Sequence, residues 1–267
     1  MSNYVVFVHG IGEQQPGYSS GFAKRLTTAY RKELTTAKNY IVEGELVFEE
    51  CYWADITQPD EQELQKRLGT RGLLRKLMLG SLGDAVAYSK LPYPPDKYGE
   101  IQMRFAAVID KVAHLAREAD DRQDSLTVIS HSLGTVIASD GIWDLTKSGR
   151  MPPNLSLHGF FTLGSPIALY GLRYGLENFN KPIKPEVWIN FCYPHDLIAY
   201  QLKPLNSAYS VAVTRDAVLQ AGASSNPLLT VAKTLFAILP LAGVFSHSWY
   251  AEDPRVIKTI ARTLASY

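Results

Sequence analysis

The chain has 267 residues, of which 46% are apolar and 20% are charged, so its composition excludes a disordered protein. Its 27 basic and 26 acidic side chains leave a net charge of +1, which argues against a nucleic-acid binder that works by bulk charge. The two cysteines, Cys51 and Cys192, are too few for a disulfide framework or a four-cysteine zinc site. We expect both to be reduced and buried in a cytoplasmic protein, since residues 1–8 read as a strand and not as an export signal.

Strand-like and helix-like segments alternate along the chain, which is the pattern of a mostly parallel sheet with helices on both faces. Apolar runs predict strands at 5–8, 46–52, 126–129, 157–163, 187–192 and 209–213. Apolar residues at helical spacing predict helices at 21–36, 101–119, 134–146 and 254–265. Asp253 and Pro254 suit the cap and the first turn of the last helix. We treat residues 1–267 as one α/β domain.

Two long segments, 56–98 and 215–246, interrupt this alternation, and insertions of this size in a compact domain are usually functional caps or lids. Within the first, residues 65–78 form a basic amphipathic pattern that suits peripheral contact with an anionic membrane or micelle surface. A solvated helix docked by its leucines explains that pattern equally simply. Within the second, the apolar run 228–245 approaches the length of a membrane span, but Pro240 and Gly243 interrupt it. We expect it to be an apolar lid or ordinary core.

The segment T-V-I-S-H-S-L-G at 127–134 carries the strongest chemical signal, because a buried strand leads into a small-x-Ser-x-Gly turn and then a helix. Such a turn is sharp, so the residues two before and two after the serine must be small, as Ser130 and Gly134 are. The turn lifts Ser132 onto the rim of the sheet with its hydroxyl exposed. We therefore predict that Ser132 is a nucleophile.

The loop after the first strand, H-G-I-G at 9–12, contains glycines that let backbone N–H groups point into a cleft. Acyl transfer needs two such donors for the oxyanion, one from this loop and one from the residue after the nucleophile. We assign these donors to the backbones of Ile11 and Leu133. The substrate pocket is expected to involve the side chains or backbones of His9, Gly10, His131, Leu235 and Phe236.

A nucleophilic serine needs a base, and the base needs an orienting acid that precedes it along the chain in this fold. His247 lies in a loop between the last strand and the closing helix, where the base belongs, whereas His195 would have to bond the residue beside it. Asp196 follows the strand 187–192 and is the predicted acid. Asp216 and Asp253 are the alternatives, although Asp253 is better explained as a helix cap.

These residues resemble those of α/β-hydrolase-fold serine lipases and esterases, and within that group the phosphatidic-acid-preferring, DDHD-type phospholipases. I-S-H-S-L-G at 129–134 is similar to their S-x-S-x-G elbow, D-L-I-A-Y-Q-L-K-P-L at 196–205 to their D-P-V-A-Y-R-x-E-P-L segment, and S-H-S-W-Y at 246–250 to their S-H-x-x-Y-W stretch. G-D-A-V-A-Y at 83–88 resembles a segment that precedes the elbow in related hydrolases. The resemblance implies hydrolysis of an ester, including lipid esters, without a metal or an organic cofactor.

Three classes of function remain open on the sequence. The leading one is a serine hydrolase of lipid or other acyl esters that works through the triad Ser132, Asp196 and His247. A thioesterase or amidase would use the same triad, because all these reactions pass through a similar tetrahedral oxyanion. A non-catalytic binding module of the same fold is the third class, and the complete order of serine, acid and histidine argues against it.

Overall fold

The computed structural model describes residues 3–11, 14–38, 46–68, 88–89, 96–119, 124–220 and 246–266. In these ranges the chain forms a six-stranded sheet in which all neighbouring strands are parallel, which confirms the predicted α/β class. The strands are β1 (Asn3–Val8), β2 (Leu46–Cys51), β3 (Asp124–His131), β4 (Leu155–Leu163), β5 (Val187–Cys192) and β6 (Arg215–Val218). Their order across the sheet is β2-β1-β3-β4-β5-β6.

The helices of the described ranges connect these strands and follow the last one. They are α1 (Ser20–Lys38), α2 (Ala54–Arg67), α3 (Lys97–Ala119), α4 (Leu133–Lys147), α5 (Ile167–Tyr174), α6 (Ser207–Ala212) and α7 (Pro254–Ala265). Single turns of 3₁₀-helix occur at Lys203–Leu205 and Tyr250–Glu252. Asp253 caps α7 as predicted, since its side chain accepts a hydrogen bond from the Arg255 backbone N–H.

Successive side chains of a strand point to opposite faces of the sheet, and helices cover both faces. Tyr4, Val6 and Val8 of β1 belong to a buried cluster that also contains the apolar stripes of α3 and α4. Val5 and Phe7 belong to a second buried cluster, with α1 and α7. The apolar residues of β1 are therefore continuous in sequence, which is typical of a parallel strand buried on both sides.

The prediction of a last strand at 209–213 was wrong. Residues 209–213 alternate between apolar and polar or small side chains, but they lie mostly in α6, and the strand is β6 a few residues later. Tyr209 and Val213 are buried at helical spacing, whereas Val211 between them is 87% exposed. Asn206 caps α6 by accepting a hydrogen bond from the Tyr209 backbone N–H at 3.1 Å.

The carboxyl edge of the sheet is where the loops that carry the predicted chemistry emerge. Strand β1 has β2 on one side and β3 on the other, so the order of the strands reverses there, and ligands of parallel α/β sheets bind outside the carboxyl ends at such a point. The register aligns Val8 with Ser130 and His131 with Leu163. The loops that follow β1, β3 and β4 therefore leave the sheet side by side.

Several predictions concern residues outside the described ranges. Of the cap predicted at 56–98, the described residues form α2 and its flanks, residues 88–89 and the start of α3. The lid predicted at 215–246 is wrong at its start, because residues 215–218 form β6, a strand of the central sheet. Residues 221–245 of that segment lie outside the described ranges. Among the described helices, none is both long enough and apolar enough to cross a bilayer. Cys51 and Cys192 are buried and unpaired, as expected.

Candidate active site

Ser132 occupies the sharp turn between β3, which ends at His131, and α4, which begins at Leu133. Its backbone has φ 53° and ψ −131°, and among the described residues it is the one residue other than glycine with a positive φ. Residues that carry a side chain rarely adopt this backbone conformation, which costs on the order of 1–3 kcal/mol. The backbone N–H of Ser132 donates to the Leu163 carbonyl oxygen at 2.9 Å, which ties the turn to the end of β4.

The small residues around Ser132 are required by close packing, as the motif predicts. A Cβ atom at Gly134 would overlap the carbonyl oxygens of His9 and Val8, the latter at 2.6 Å. A Cβ atom at Gly10 would lie 2.6 Å from the Cβ atom of Ser132. The loop after β1 therefore lies directly against the nucleophile turn, where a loop that supplies an oxyanion donor has to be.

His247 and Asp196, the residues predicted as base and acid, are in direct hydrogen-bond contact. The Nδ1–H of His247 donates to Oδ2 of Asp196 at 2.8 Å, although 51 residues separate them along the chain. Asp196 is 5% exposed. The alternative acids have other partners, because Asp216 accepts from Asn190 and from the backbone of the segment before α6. Asp253 accepts from Tyr193 and Arg255.

Asp196 is held as a carboxylate by three donors. Besides His247, the hydroxyl of Tyr250 donates to Oδ2 at 2.8 Å, and the backbone N–H of Ile198 donates to Oδ1 at 3.1 Å. Burial by itself would raise the pKa of Asp196, but the hydrogen bonds and the charge interaction with His247, together with the other two donors, lower it. The acid is therefore ionised at neutral pH and can stabilise a protonated His247.

His131 packs against His247 and fixes its backbone. The two rings are 4.8 Å apart, and Nε2–H of His131 donates to the carbonyl oxygen of His247 at 2.7 Å. Burial, followed by the neighbouring His247, lowers the pKa of His131 to about 3, so its ring is neutral at pH 7. This ring supports the backbone of His247, and its predicted contact with a substrate stays a prediction.

His9 is buried, and both of its ring nitrogens are hydrogen-bonded inside the protein. Its Nδ1–H donates to the Gly10 carbonyl oxygen at 2.7 Å, and its Nε2 accepts from the Trp53 backbone N–H at 3.1 Å. The ring stacks on Trp53 with centroids 4.7 Å apart and is 4% exposed. Burial lowers the pKa of His9 to about 4. The neutral ring thus anchors the loop that crosses Ser132.

Oγ of Ser132 and Nε2 of His247 are both buried, so the Ser132 hydroxyl is not exposed as the sequence predicted, and neither atom has a hydrogen-bond partner among the described residues. Buried polar atoms usually have a partner, and unsatisfied ones often mark a functional site. Catalytic hydrogen bonds are frequently long in the absence of substrate and tighten when it binds. The arrangement leaves the Ser132 hydroxyl with a proton to donate and Nε2 of His247 with a lone pair to accept one.

The predicted oxyanion donors lie on the elements expected of them. Leu133 is the first residue of α4, whose N-terminal N–H groups favour negative charge. Ile11 follows Gly10 in the loop against Ser132 and packs on the core. Leu235, Phe236 and Gly12 lie outside the described residues. Among the described residues, no group of three or more histidine, cysteine or acidic side chains is placed to hold a metal.

Sequence reasoning missed two residues that shape the site, Gly164 and Tyr250. Gly164 follows β4 with φ 62°, and a Cβ atom there would lie 2.7 Å from the Tyr250 ring and 3.0 Å from the His247 ring. A glycine directly after a central strand is a signal that could have identified the first. The role of Tyr250 depends on a contact with Asp196, 54 residues away, which no local pattern reveals.

No protein-family model matches this chain, and no curated protein sequence matches it significantly. Its function has to be inferred from the geometry of the site.

Proposed function

We propose that this protein is a serine carboxylic-ester hydrolase with the α/β-hydrolase fold. The observation that carries the proposal is that Ser132, on its strained turn, and the hydrogen-bonded Asp196–His247 pair lie at the same carboxyl edge of one parallel sheet. The ring of His131, which precedes Ser132 in the chain, lies 4.8 Å from the ring of His247. The chain order of serine, acid and histidine is the order found in α/β-hydrolases. The strand-turn-helix context of the serine and the adjacent glycine loop support the same fold.

The reaction follows from the positions of these groups. Oγ of Ser132 attacks the acyl carbon while Nε2 of His247 takes its proton, and Asp196 stabilises the imidazolium through Nδ1–H. The negative charge on the acyl oxygen is bound by the backbone N–H groups of Leu133 and Ile11. His247 then returns the proton to the leaving alcohol oxygen as the carbon–oxygen bond breaks. Water hydrolyses the acyl-enzyme by the same steps, which frees Ser132.

We propose lipid-like esters as the substrate class, presented at a membrane or micelle surface. Apolar residues are exposed on elements that start at the same sheet edge as the triad. Helix α5, which begins three residues after Gly164, presents Leu169 and Leu172 at helical spacing, 39% and 68% exposed, and Leu197 beside Asp196 is 64% exposed. The apolar run 228–245 precedes His247 in the sequence, and the DDHD-type resemblance points the same way. The proposal requires no cofactor or metal.

A fluorophosphonate probe tests the nucleophile. It should label the wild type and a Ser139→Ala control, whose serine lies on α4 outside the site, but should not label Ser132→Ala. Equal labelling of all three proteins would contradict the assignment.

A series of p-nitrophenyl esters tests the substrate class. Each buried methylene contributes ~0.8 kcal/mol, so kcat/KM should rise about fourfold per carbon along the acyl chain. Leu235→Ala and Phe236→Ala should flatten this rise if the segment 215–246 binds the chain. A wild-type profile that is flat from two to twelve carbons would favour a short-chain esterase.

A further inference from the structure

Tyr250 is the second side chain that donates a hydrogen bond to the Asp196 carboxylate. We infer that Tyr250 is a positioning residue of the triad, which holds the Asp196 carboxylate in the orientation that His247 needs; this inference rests on the proposed function. Oδ2 of Asp196 accepts from both His247 and Tyr250 at 2.8 Å, so one oxygen atom joins the base to the tyrosine.

The direction of the Tyr250 hydrogen bond is fixed by its second partner. The backbone N–H of Tyr193 donates to the Tyr250 hydroxyl oxygen at 3.0 Å. A hydroxyl has one proton, and the hydrogen bond from Tyr193 occupies an acceptor position on the oxygen, so the proton is directed to Asp196. Burial, followed by the Asp196 charge, raises the pKa of Tyr250, which keeps that proton in place. Tyr250 therefore stabilises the ionised form of the acid.

Tyr250 is itself held rigidly. It is fully buried, its ring lies 4.8 Å from that of Tyr193, and its edge packs over Gly164 beside the His247 ring. Tyr193 in turn donates through its hydroxyl to Oδ2 of Asp253 at 2.6 Å, the residue that caps α7. The acid is thus connected to the start of α7 through two tyrosines in ring contact, and of their two hydroxyls the one that bonds the Asp196 carboxylate is that of Tyr250.

The charged and titratable groups near this carboxylate are few in the described part of the chain. His247 and Tyr250 bond it, His131 faces it from the end of β3, and the Cys192 thiol faces it from the end of β5. Burial, with the nearby acids Asp216 and Asp196, raises the pKa of Cys192 to about 11, so this thiol stays neutral. Removing the Tyr250 hydroxyl takes a donor away without changing any formal charge.

The test compares Tyr250→Phe with Tyr193→Phe, since each removes one hydroxyl from one of two buried rings that contact each other. In Tyr250→Phe we expect kcat on a soluble ester to fall roughly tenfold with KM nearly unchanged, because a hydrogen bond to a charged group is lost. The acid limb of the pH profile of kcat/KM should move up by roughly half a pH unit, because the Asp196–His247 pair then holds its protons more tightly. Tyr193→Phe should lower the melting temperature and leave both kinetic readouts unchanged.

Two further measurements keep the inference separate from folding and from the proposed activity. A fluorinated tyrosine at position 250 keeps the hydroxyl but makes it a stronger donor, so the acid limb should move in the opposite direction. The downfield proton resonance of His247 Nδ1–H, assigned by its loss in His247→Ala, should shift in Tyr250→Phe and not in Tyr193→Phe, whether or not the protein hydrolyses the ester. If the two tyrosine variants agree in pH profile and in this resonance, Tyr250 has only a structural role. If the wild type does not hydrolyse esters but the resonance shift is present, the proposed function is contradicted and the positioning role of Tyr250 is not.

Discussion

Adding a single methyl group at Gly164 should damage the site far more than the same change at a comparable glycine. Gly164 has φ 62° and sits under the His247 and Tyr250 rings, with 2.7 Å between its hypothetical Cβ and Cε2 of Tyr250. Gly149, just after α4, has φ 68° and nothing within 4 Å of the same position. Gly149→Ala is therefore a matched control for the backbone cost alone.

The expected magnitudes follow from these two environments. A residue with a Cβ in this left-handed conformation costs about 1–2 kcal/mol, and both variants incur that cost. Gly164→Ala must also push two buried rings aside, which adds roughly 1–3 kcal/mol of overpacking. A shift of the His247 ring by about 1 Å lowers kcat on the order of 100-fold. We expect Gly149→Ala to keep the wild-type kcat.

Urea unfolding and p-nitrophenyl ester hydrolysis measure the two effects separately. The activity is compared under conditions in which both variants are fully folded, so that a loss of kcat reports the displaced base. If Gly164→Ala is no less stable than Gly149→Ala and retains kcat, then the rings do not lie on this glycine as described.

The remaining predictions concern the nucleophile, the acid and the buried histidine of the first loop. Ser132→Gly should be more stable than Ser132→Ala by about 1–2 kcal/mol in urea unfolding, because glycine removes the strain at φ 53°, while both are inactive. Asp196→Asn should lower kcat on the order of 10⁴-fold, whereas Asp216→Asn should lower the melting temperature but spare kcat of the folded protein; the reverse result would identify Asp216 as the acid. The pKa of His9 is about 4 in the folded protein and 6.5 in the unfolded chain, so between these values the unfolded chain binds a proton that the folded protein does not. The stability that depends on a neutral His9 is therefore complete above pH 6.5 and is lost as the pH falls toward 4. Between pH 7.5 and pH 5 the wild type should therefore lose about 2 kcal/mol more of its unfolding free energy than His9→Gln, and equal losses would contradict the neutral, buried ring.

The sequence predicts the elements whose patterns are local and strong. The continuous apolar runs of the central strands and the apolar stripes of α1, α3 and α7 determine their own structure, since each must be buried on the faces that the pattern defines. The segment around Tyr209 fails because the same apolar residues satisfy both strand and helix spacing. There the cap at Asn206 decides for the helix, together with the exposure of Val211.

The site is predictable only as far as its motifs extend. The small-x-Ser-x-Gly turn dictates where Ser132 lies because its geometry is local, and the chain order of the fold then narrows the choice of acid and base. The neutral states of His9 and His131 depend on burial and on partners such as Trp53 that are distant in sequence. The sequence places these two histidines beside Ser132, but their hydrogen-bond partners and their protonation states become visible only in the structure.

The strain at Ser132 is maintained by contacts on both sides of the residue. Its N–H donates to the Leu163 carbonyl oxygen, and its own carbonyl oxygen accepts from the backbone N–H and the hydroxyl of Thr135, at 2.9 and 2.8 Å. Three hydrogen bonds of about 1 kcal/mol each are comparable with the 1–3 kcal/mol that the conformation costs. Glycine would hold the same turn without that cost, so packing alone does not explain a serine here. The proposed nucleophilic role gives its hydroxyl a use, since within the described ranges neither this hydroxyl nor Nε2 of His247, at the same sheet edge, has a hydrogen-bond partner.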